Sequence, residues 1–293
     1  MANSGFLNIN KPAGLTSHDV VARVRRVAGR GVKVGHAGTL DPAATGVLPV
    51  ALGHATRLIE HLTDARKGYR GLVRLGVRTT TDDAEGEPLA TSAVPPLDDA
   101  QLEAAMLPLR GEIMQVPPMY SALHHQGQRL YELARAGQTV ELAPRPVTVY
   151  RLTWARAGGD DLLLTVECGK GTYIRALARD LGAALGCGAH LAALERTFVG
   201  PFRSEDALAL DALLADPGLL AGALLPPETA VAHWPAAHLD AEAVRRILNG
   251  MPVQLPELAG DRARAHGPTG ALLALLRREG DGAGWRPEKV FRD

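Results

Sequence analysis

The sequence predicts an α+β fold, a mixed and largely antiparallel sheet flanked by helices, with a small C-terminal segment packed on it. Three observations carry this. Segments with period-two alternation outnumber segments with helical periodicity, and the two kinds do not alternate in βαβ order. Hydrophobic residues at 46% and charged residues at 22% are ordinary globular usage, which excludes disordered, collagenous and low-complexity classes. The 293 residues suffice for one large domain with an appendage, and we expect a main domain over residues 1–230 and a C-terminal segment over 231–293.

Residues 5–11 alternate apolar and polar and end in a Pro12-Ala-Gly14 turn, the pattern of a half-buried strand. A helix follows: Thr16 and Ser17 are N-cap residues, Asp19 stands three after Thr16, and Val20, Val21, Val24 and Val27 line one face before Gly29 and Gly31 stop it. Its other face carries Arg23, Arg25, Arg26 and Arg30. Residues 33–53, with four glycines and two prolines, read as one long loop that does more than connect. A short helix is expected near 56–64. A strand over 67–76 then sets Tyr69, Gly71, Val73 and Leu75 against Arg70 and Arg74. Thr79 to Glu87 is a polar, acidic loop. Helices are expected near 98–107 and 128–136, strands at 146–155 and 161–168, and an amphipathic helix at 173–185. A proline-rich stretch at 217–235 precedes a helix at 240–249 and a strand at 271–276, a segment short for an independent core.

Net charge is zero, yet residues 1–78 hold twelve Lys and Arg against four acids, an excess of eight cations that the rest of the chain cancels. Such asymmetry fits a polyanionic partner, and equally a set of solvated basic helix faces. No apolar run is long enough to cross a bilayer and the start lacks a targeting pattern, so no membrane association and a cytoplasmic location are expected. Cys168 and Cys187 read as buried small hydrophobes. No metal-ligand spacing, P-loop, dinucleotide-binding glycine fingerprint or nucleophile elbow is present, so neither metal nor cofactor is expected.

Three residues stand open to two readings each. Asp41, in a glycine-rich stretch near His36 and Lys33, suits a nucleophile or general acid/base, or an Asp-Pro turn. Tyr69 suits stacking on a base, or core packing. Arg175 suits pairing with a carboxylate or phosphate, or an exposed helix position.

Five stretches, in order, resemble one family: Gly5-Phe-Leu-Asn-Ile-Asn-Lys-Pro-Ala-Gly-Leu-Thr-Ser17, Gly35-His-Ala-Gly-Thr-Leu-Asp-Pro-Ala-Ala-Thr-Gly-Val-Leu-Pro49, Lys67-Gly-Tyr-Arg70, Pro117-Pro-Met-Tyr-Ser-Ala122 and Gly169-Lys-Gly-Thr-Tyr-Ile-Arg175. The chain is similar to the TruB-type tRNA pseudouridine-55 synthases over about residues 5–202. Arg245-Arg-Ile-Leu-Asn-Gly250 and Trp285-Arg-Pro-Glu-Lys-Val-Phe291 look like that family's compact, PUA-like RNA-binding segment. The resemblance implies the pseudouridine synthase fold and an isomerase that flips a uridine out of the T stem-loop of tRNA, detaches uracil and rejoins it through C5, with no cofactor and no metal. It places Asp41 as the catalytic aspartate, whether it attacks C1′, attacks the base or abstracts the 2′ proton. Arg175 is its partner, expected to keep it ionised, and Tyr69 lies under the base with its phenol placed to assist proton removal at C5. His36, Tyr173, Leu194 and Lys11 are implied in substrate binding: His36 holding the remodelled loop, Tyr173 touching substrate, Leu194 walling the pocket, and Lys11-Pro12 supporting the catalytic loop. A stand-alone monomer without guide RNA is expected; a tRNA-folding chaperone role is the alternative.

Overall fold

The computed structural model of the chain describes residues 4–121, 124–125, 128–130, 133, 138, 140–280 and 284–291. Strand β1 (Gly5–Lys11) forms on the expected alternation and leads into α1 (Ser17–Ala28). Thr16 caps this helix reciprocally: its hydroxyl accepts from the Asp19 N–H at 3.1 Å, and the Asp19 carboxylate accepts from the Thr16 N–H at 2.9 Å. Val20 and Val24 pack on Leu7, Ile9, Leu48 and Val50.

Residues 33–53 are not one loop. They contain β2 (Val34–His36) and β3 (Thr45–Leu52), and only the crossing at 37–44 is irregular. The alternation that marks a half-buried strand is missing because β3 is buried on both faces: Val47, Leu48, Val50, Ala51 and Leu52 have no exposed surface. Gly46, in β3, takes φ +99°, and a Cβ there would lie 2.3 Å from the Arg196 carbonyl oxygen.

A 3-10 turn at Gly53–Leu58 runs into α2 (Ile59–Thr63), followed by β4 (Lys67–Leu75). The hairpin of β5 (Val77–Thr79) and β6 (Pro88–Thr91) encloses the acidic loop, and α3 (Asp99–Met106), capped by Asp98, leads to β7 (Gly111–Gln115). Short strands β8 (His124–His125) and β9 (Gln128–Arg129) pair with each other. β9 thus occupies the start of the helix expected at 128–136, and of the remainder only Leu130 and Leu133 are among the described residues. Then come β10 (Arg145–Gly158), β11 (Asp161–Cys168), α4 (Ile174–Ala184) and β12 (Ala189–Val199), the last unforeseen from the sequence. β13 (Phe202–Arg203), β14 (Leu208–Ala209), α5 (Leu210–Ala215) and α6 (Leu219–Ala223) complete this part.

The main sheet runs β14-β1-β3-β12-β4-β11-β10-β7, with β2 on β3 and β13 on β12. Every pairing is antiparallel except β1 with β14 and β3 with β12, so the sheet is mixed and largely antiparallel as predicted. α4 buries Ile174, Leu177, Ala178 and Leu181 against Val73, Leu75 and Leu164. A second sheet, ordered β15-β17-β18-β19-β16, holds β15 (Ala236–His238), β16 (Val253–Gln254), β17 (Arg262–His266), β18 (Leu272–Arg278) and β19 (Gly284–Val290), with α7 (Ala241–Leu248) beside it. Leu272, Leu275 and Phe291 join Phe6, Ala55, Leu58 and Val231 in one apolar cluster, which seats this sheet on the main one. Arg57 donates to the Val290 carbonyl at 2.6 Å across the same junction. Among the described residues no helix is long and apolar enough to cross a membrane.

Candidate active site

Asp41 lies in the 37–44 crossing, and two buried cations hold that crossing through its backbone. Lys11, with no exposed surface, donates from Nζ to the carbonyls of Leu15 at 2.6 Å, Pro12 at 2.9 Å and Pro42 at 3.0 Å. From the β12 side Arg196 donates to the carbonyls of Val47 at 2.7 Å, Gly38 at 3.1 Å and Thr39 at 3.3 Å. Ser17 adds a clamp from α1: its hydroxyl accepts from the Leu40 N–H at 2.9 Å and donates to the Leu40 carbonyl at 3.3 Å. Lys11 thus sits as a buried prop beneath the loop.

Arg175 enters from the first turn of α4. Gln115 fixes that turn, accepting from the Tyr173 N–H at 2.8 Å and donating to its carbonyl at 3.1 Å. The guanidinium reaches Asp41 at 3.1 Å and Asp83 at 3.3 Å, and donates to the carbonyls of Tyr120 at 2.8 Å and Thr81 at 3.1 Å. Arg175 is only 5% exposed, so the reading of an ordinary surface arginine is set aside: the acidic loop at 79–87 covers this end of α4. Asp83 was legible only as part of a polar loop.

A cavity of about 260 Å³ opens above this pair, with Leu40, Asp41, Tyr69, Tyr173, Arg175 and Leu194 in its walls. That is small beside drug-sized ligand pockets and suits one planar heterocycle. Tyr69 projects inward from β4, its phenol beside the Arg196 guanidinium, and Leu194 of β12 supplies apolar surface. Lys67 also lines the cavity, its ammonium donating to the carbonyls of Thr63 at 2.8 Å and Ala65 at 2.9 Å. His36 stands apart at the end of β2, its ring edge-on to His18 with centroids 5.4 Å apart. Sequence reasoning missed Asp83, Lys67 and Arg196 as site residues. Lys67 lies inside a quoted motif and Arg196 two residues after Leu194, but nothing in their spacing announces a buried cation. Among the described residues no group of three His, Cys, Asp or Glu side chains is arranged to hold a metal ion.

The family model for the TruB family pseudouridylate synthase N-terminal domain matches residues 25–174. The chain belongs to the TruB family. Models for the tRNA pseudouridylate synthase B C-terminal domain and the tRNA pseudouridine synthase II C-terminal region match residues 175–232 and 234–292. Among TruB relatives, tRNA pseudouridine synthase B of Dehalococcoides mccartyi is 46% identical over 291 residues, 98% of this chain and 96% of the relative. The enzyme of the same name from Gloeobacter violaceus is 51% identical over 255 residues, covering 85% and 86% of the two chains. A solved structure described as a Cbf5-Nop10-Gar1 complex matches with a TM-score of 0.75 at 30% identity, covering 98% of this chain and 85% of that one.

Within this TruB-family site, burial sets the electrostatics. It pushes the Asp41 carboxyl above its ordinary range, and Asp83 adds to the shift, while Arg175 and then Lys11 pull against it. Arg175 favours the ionised carboxylate, the direction expected of it, against the larger opposing influence of burial. Burial likewise raises the Tyr69 phenol, with Arg196 pulling down. It lowers His36 to about 4, leaving the imidazole neutral at pH 7, and lowers Lys11 and Lys67 to about 8.

Proposed function

We propose that the protein isomerises uridine to pseudouridine at position 55 in the T loop of tRNA, as a stand-alone cytoplasmic monomer that uses neither guide RNA nor cofactor. The observation that carries this reading is the Asp41–Arg175 ion pair on the floor of a base-sized cavity walled by Tyr69 and Leu194. Residues 1–230 are the catalytic domain in this reading, and residues 231–293 a PUA-like RNA-binding segment.

The reaction conserves atoms and oxidation state. The C1′–N1 bond breaks with its electron pair on N1, the freed base turns in the cavity, a C1′–C5 bond forms, and the C5 proton is lost as N1 gains one. Asp41 acts at the ribose–base junction, where a carboxylate with a raised pKa is both nucleophile and proton acceptor. The Tyr69 phenol, beside the Arg196 guanidinium, is placed to assist removal of the C5 proton. Tyr69 and Leu194 hold the detached base, and Tyr173 contacts it from the α4 side. Entry requires the uridine to leave its loop, and His36, neutral at the end of β2, fills the space it vacates. The solved neighbours include an RNP bound to a substrate RNA, yet that match is at 29% identity, whereas relatives named for tRNA reach 46% and 51%. That difference favours direct recognition of tRNA.

The test is tritium release from a tRNA transcript labelled at C5 of uridine, with chelator present. Release that vanishes in Asp41→Asn and in a transcript lacking the T-loop uridine is expected. Binding of tRNA without release by the unaltered chain would replace the isomerase with a tRNA-folding chaperone.

A further inference from the structure

Most cations on this molecule are spoken for. Arg66 pairs with Glu167, Arg74 with Asp161, Arg110 with Glu103, Arg156 with Asp99 and Arg179 with Asp82. The end of α1 gathers several exposed cations that are not so paired. The side chains of Arg26, Arg30 and Lys33 are exposed and, among the described residues, make no ion pair or hydrogen bond, while neighbouring Arg25 makes only a 3.4 Å contact to the Val34 carbonyl. The helix dipole accounts for cations in the last turn, Arg25 and Arg26. It does not account for Arg30 and Lys33, which lie beyond the Gly29 cap, and like charges crowded at this end oppose the fold unless an anion joins them.

Their position is set at both ends. At its start α1 is clamped by Ser17 to the loop that carries Leu40, a wall of the cavity, and His18 meets His36 at the end of β2. A helix climbs 1.5 Å per residue, so Arg26 stands roughly 14 Å along α1 from that clamp, with Arg30 and Lys33 following beyond the helix end. At the far end the Lys33 carbonyl accepts from the Gly53 N–H at 2.8 Å, and Gly53 opens the turn whose Arg57 donates to Val290 of the second sheet. The free cations therefore lie between the Leu40 loop that walls the cavity and the turn that meets the C-terminal segment.

We propose that Arg26, Arg30 and Lys33 bind the phosphate backbone of the double-helical stem whose loop delivers uridine to Asp41. This rests on the isomerase reading above and adds where the stem lies. Fixed, unpaired cations spaced along a rigid edge suit consecutive phosphates, and each such contact releases counterions, so binding weakens with salt by about 0.7–0.9 logarithmic units per phosphate for each tenfold rise.

The experiment compares the full chain with the triple variant R26Q/R30Q/K33Q, reading tRNA affinity by filter binding across salt concentrations and kcat and KM by C5 tritium release. We expect the salt slope to fall by about 2–3, KM at low salt to rise about tenfold, and kcat to stay unchanged. R26K/R30K, which keeps the charge, behaves as the unaltered chain, separating charge from folding. A hairpin with its stem cut to two base pairs erases the difference between the chain and its triple variant. An unchanged salt slope, or a deficit that persists on the truncated stem, overturns the proposal. Failure of the unaltered chain to release tritium strikes the isomerase reading instead, because the filter-binding comparison reads the stem contact independently of chemistry.

Discussion

Arg175→Met isolates the ion pair at the centre of the site. Methionine keeps much of the unbranched stem and removes the guanidinium, leaving the carboxylates of Asp41 and Asp83 and the carbonyls of Thr81 and Tyr120 without their donor. Removing one partner of a buried ion pair costs roughly 3–5 kcal/mol. The Asp41 side chain is 40% exposed and water re-solvates it through the cavity, whereas Asp83 is 14% exposed and is not rescued, so the lower end, about 3 kcal/mol, is expected. The catalytic effect has a separate origin. With the largest downward influence on Asp41 gone, burial and Asp83 both push its carboxyl up. An opposite charge at this range is worth about 1–3 pKa units, so the acid limb of the pH–rate profile moves up by about that much and part of the lost rate returns as pH is raised. Single-turnover tritium release from pH 5.5 to 9, beside urea unfolding, reads both effects. A variant that is slower at every pH with its acid limb unmoved would refute the electrostatic account and leave Arg175 a structural strut.

Three further outcomes are expected. Tyr69→Phe keeps the ring in the cavity wall but cannot accept a proton, so C5 tritium release falls about 10²–10⁴-fold with tRNA affinity unchanged; equal loss of affinity would make Tyr69 a stacking platform only. Gly46→Ala places a methyl 2.3 Å from the Arg196 carbonyl at φ +99°, which costs about 3 kcal/mol by urea unfolding and disturbs the seat of Arg196, so a lower Tm accompanied by lower kcat is expected. Lys11 and Lys67 are held at about 8 against 10.5 for a free lysine, so the folded chain sheds these protons first. Their contribution makes stability rise as pH climbs from 8 towards 10.5, by up to about 3 kcal/mol each, and Lys67→Met removes one share of that rise in urea titrations at the two pH values.

Local periodicity made much of the fold legible. The Thr16 box, the Gly29 stop, the two-faced β4 and the apolar stripe of α4 are all patterns a helix or strand imposes on its own residues. What escaped was burial decided by distant chain. β3 reads as a loop because its two covered faces leave no alternation and its Gly46 and Pro49 look like breakers, yet β1, β2 and β12 surround it. β12 hides its period behind two register shifts against β4. The site divides the same way. Motif resemblance singled out Asp41, Tyr69 and Arg175, which the fold brings to one cavity, while spacing alone left each with an ordinary structural explanation. Asp83 and Arg196 act only after the acidic loop and β12 close on the cavity, 42 and 155 residues downstream of Asp41.

Lys11 and Arg196 grip the catalytic crossing by its carbonyl oxygens and by none of its side chains. The seat of Asp41 is therefore specified by residues outside the segment that carries it. Within the segment, the exposed Ala43 can be rewritten to suit a different RNA surface without removing any of these holds. Variation at position 43 thereby changes the surface an RNA meets while the outside grip on the segment that carries Asp41 stays in place.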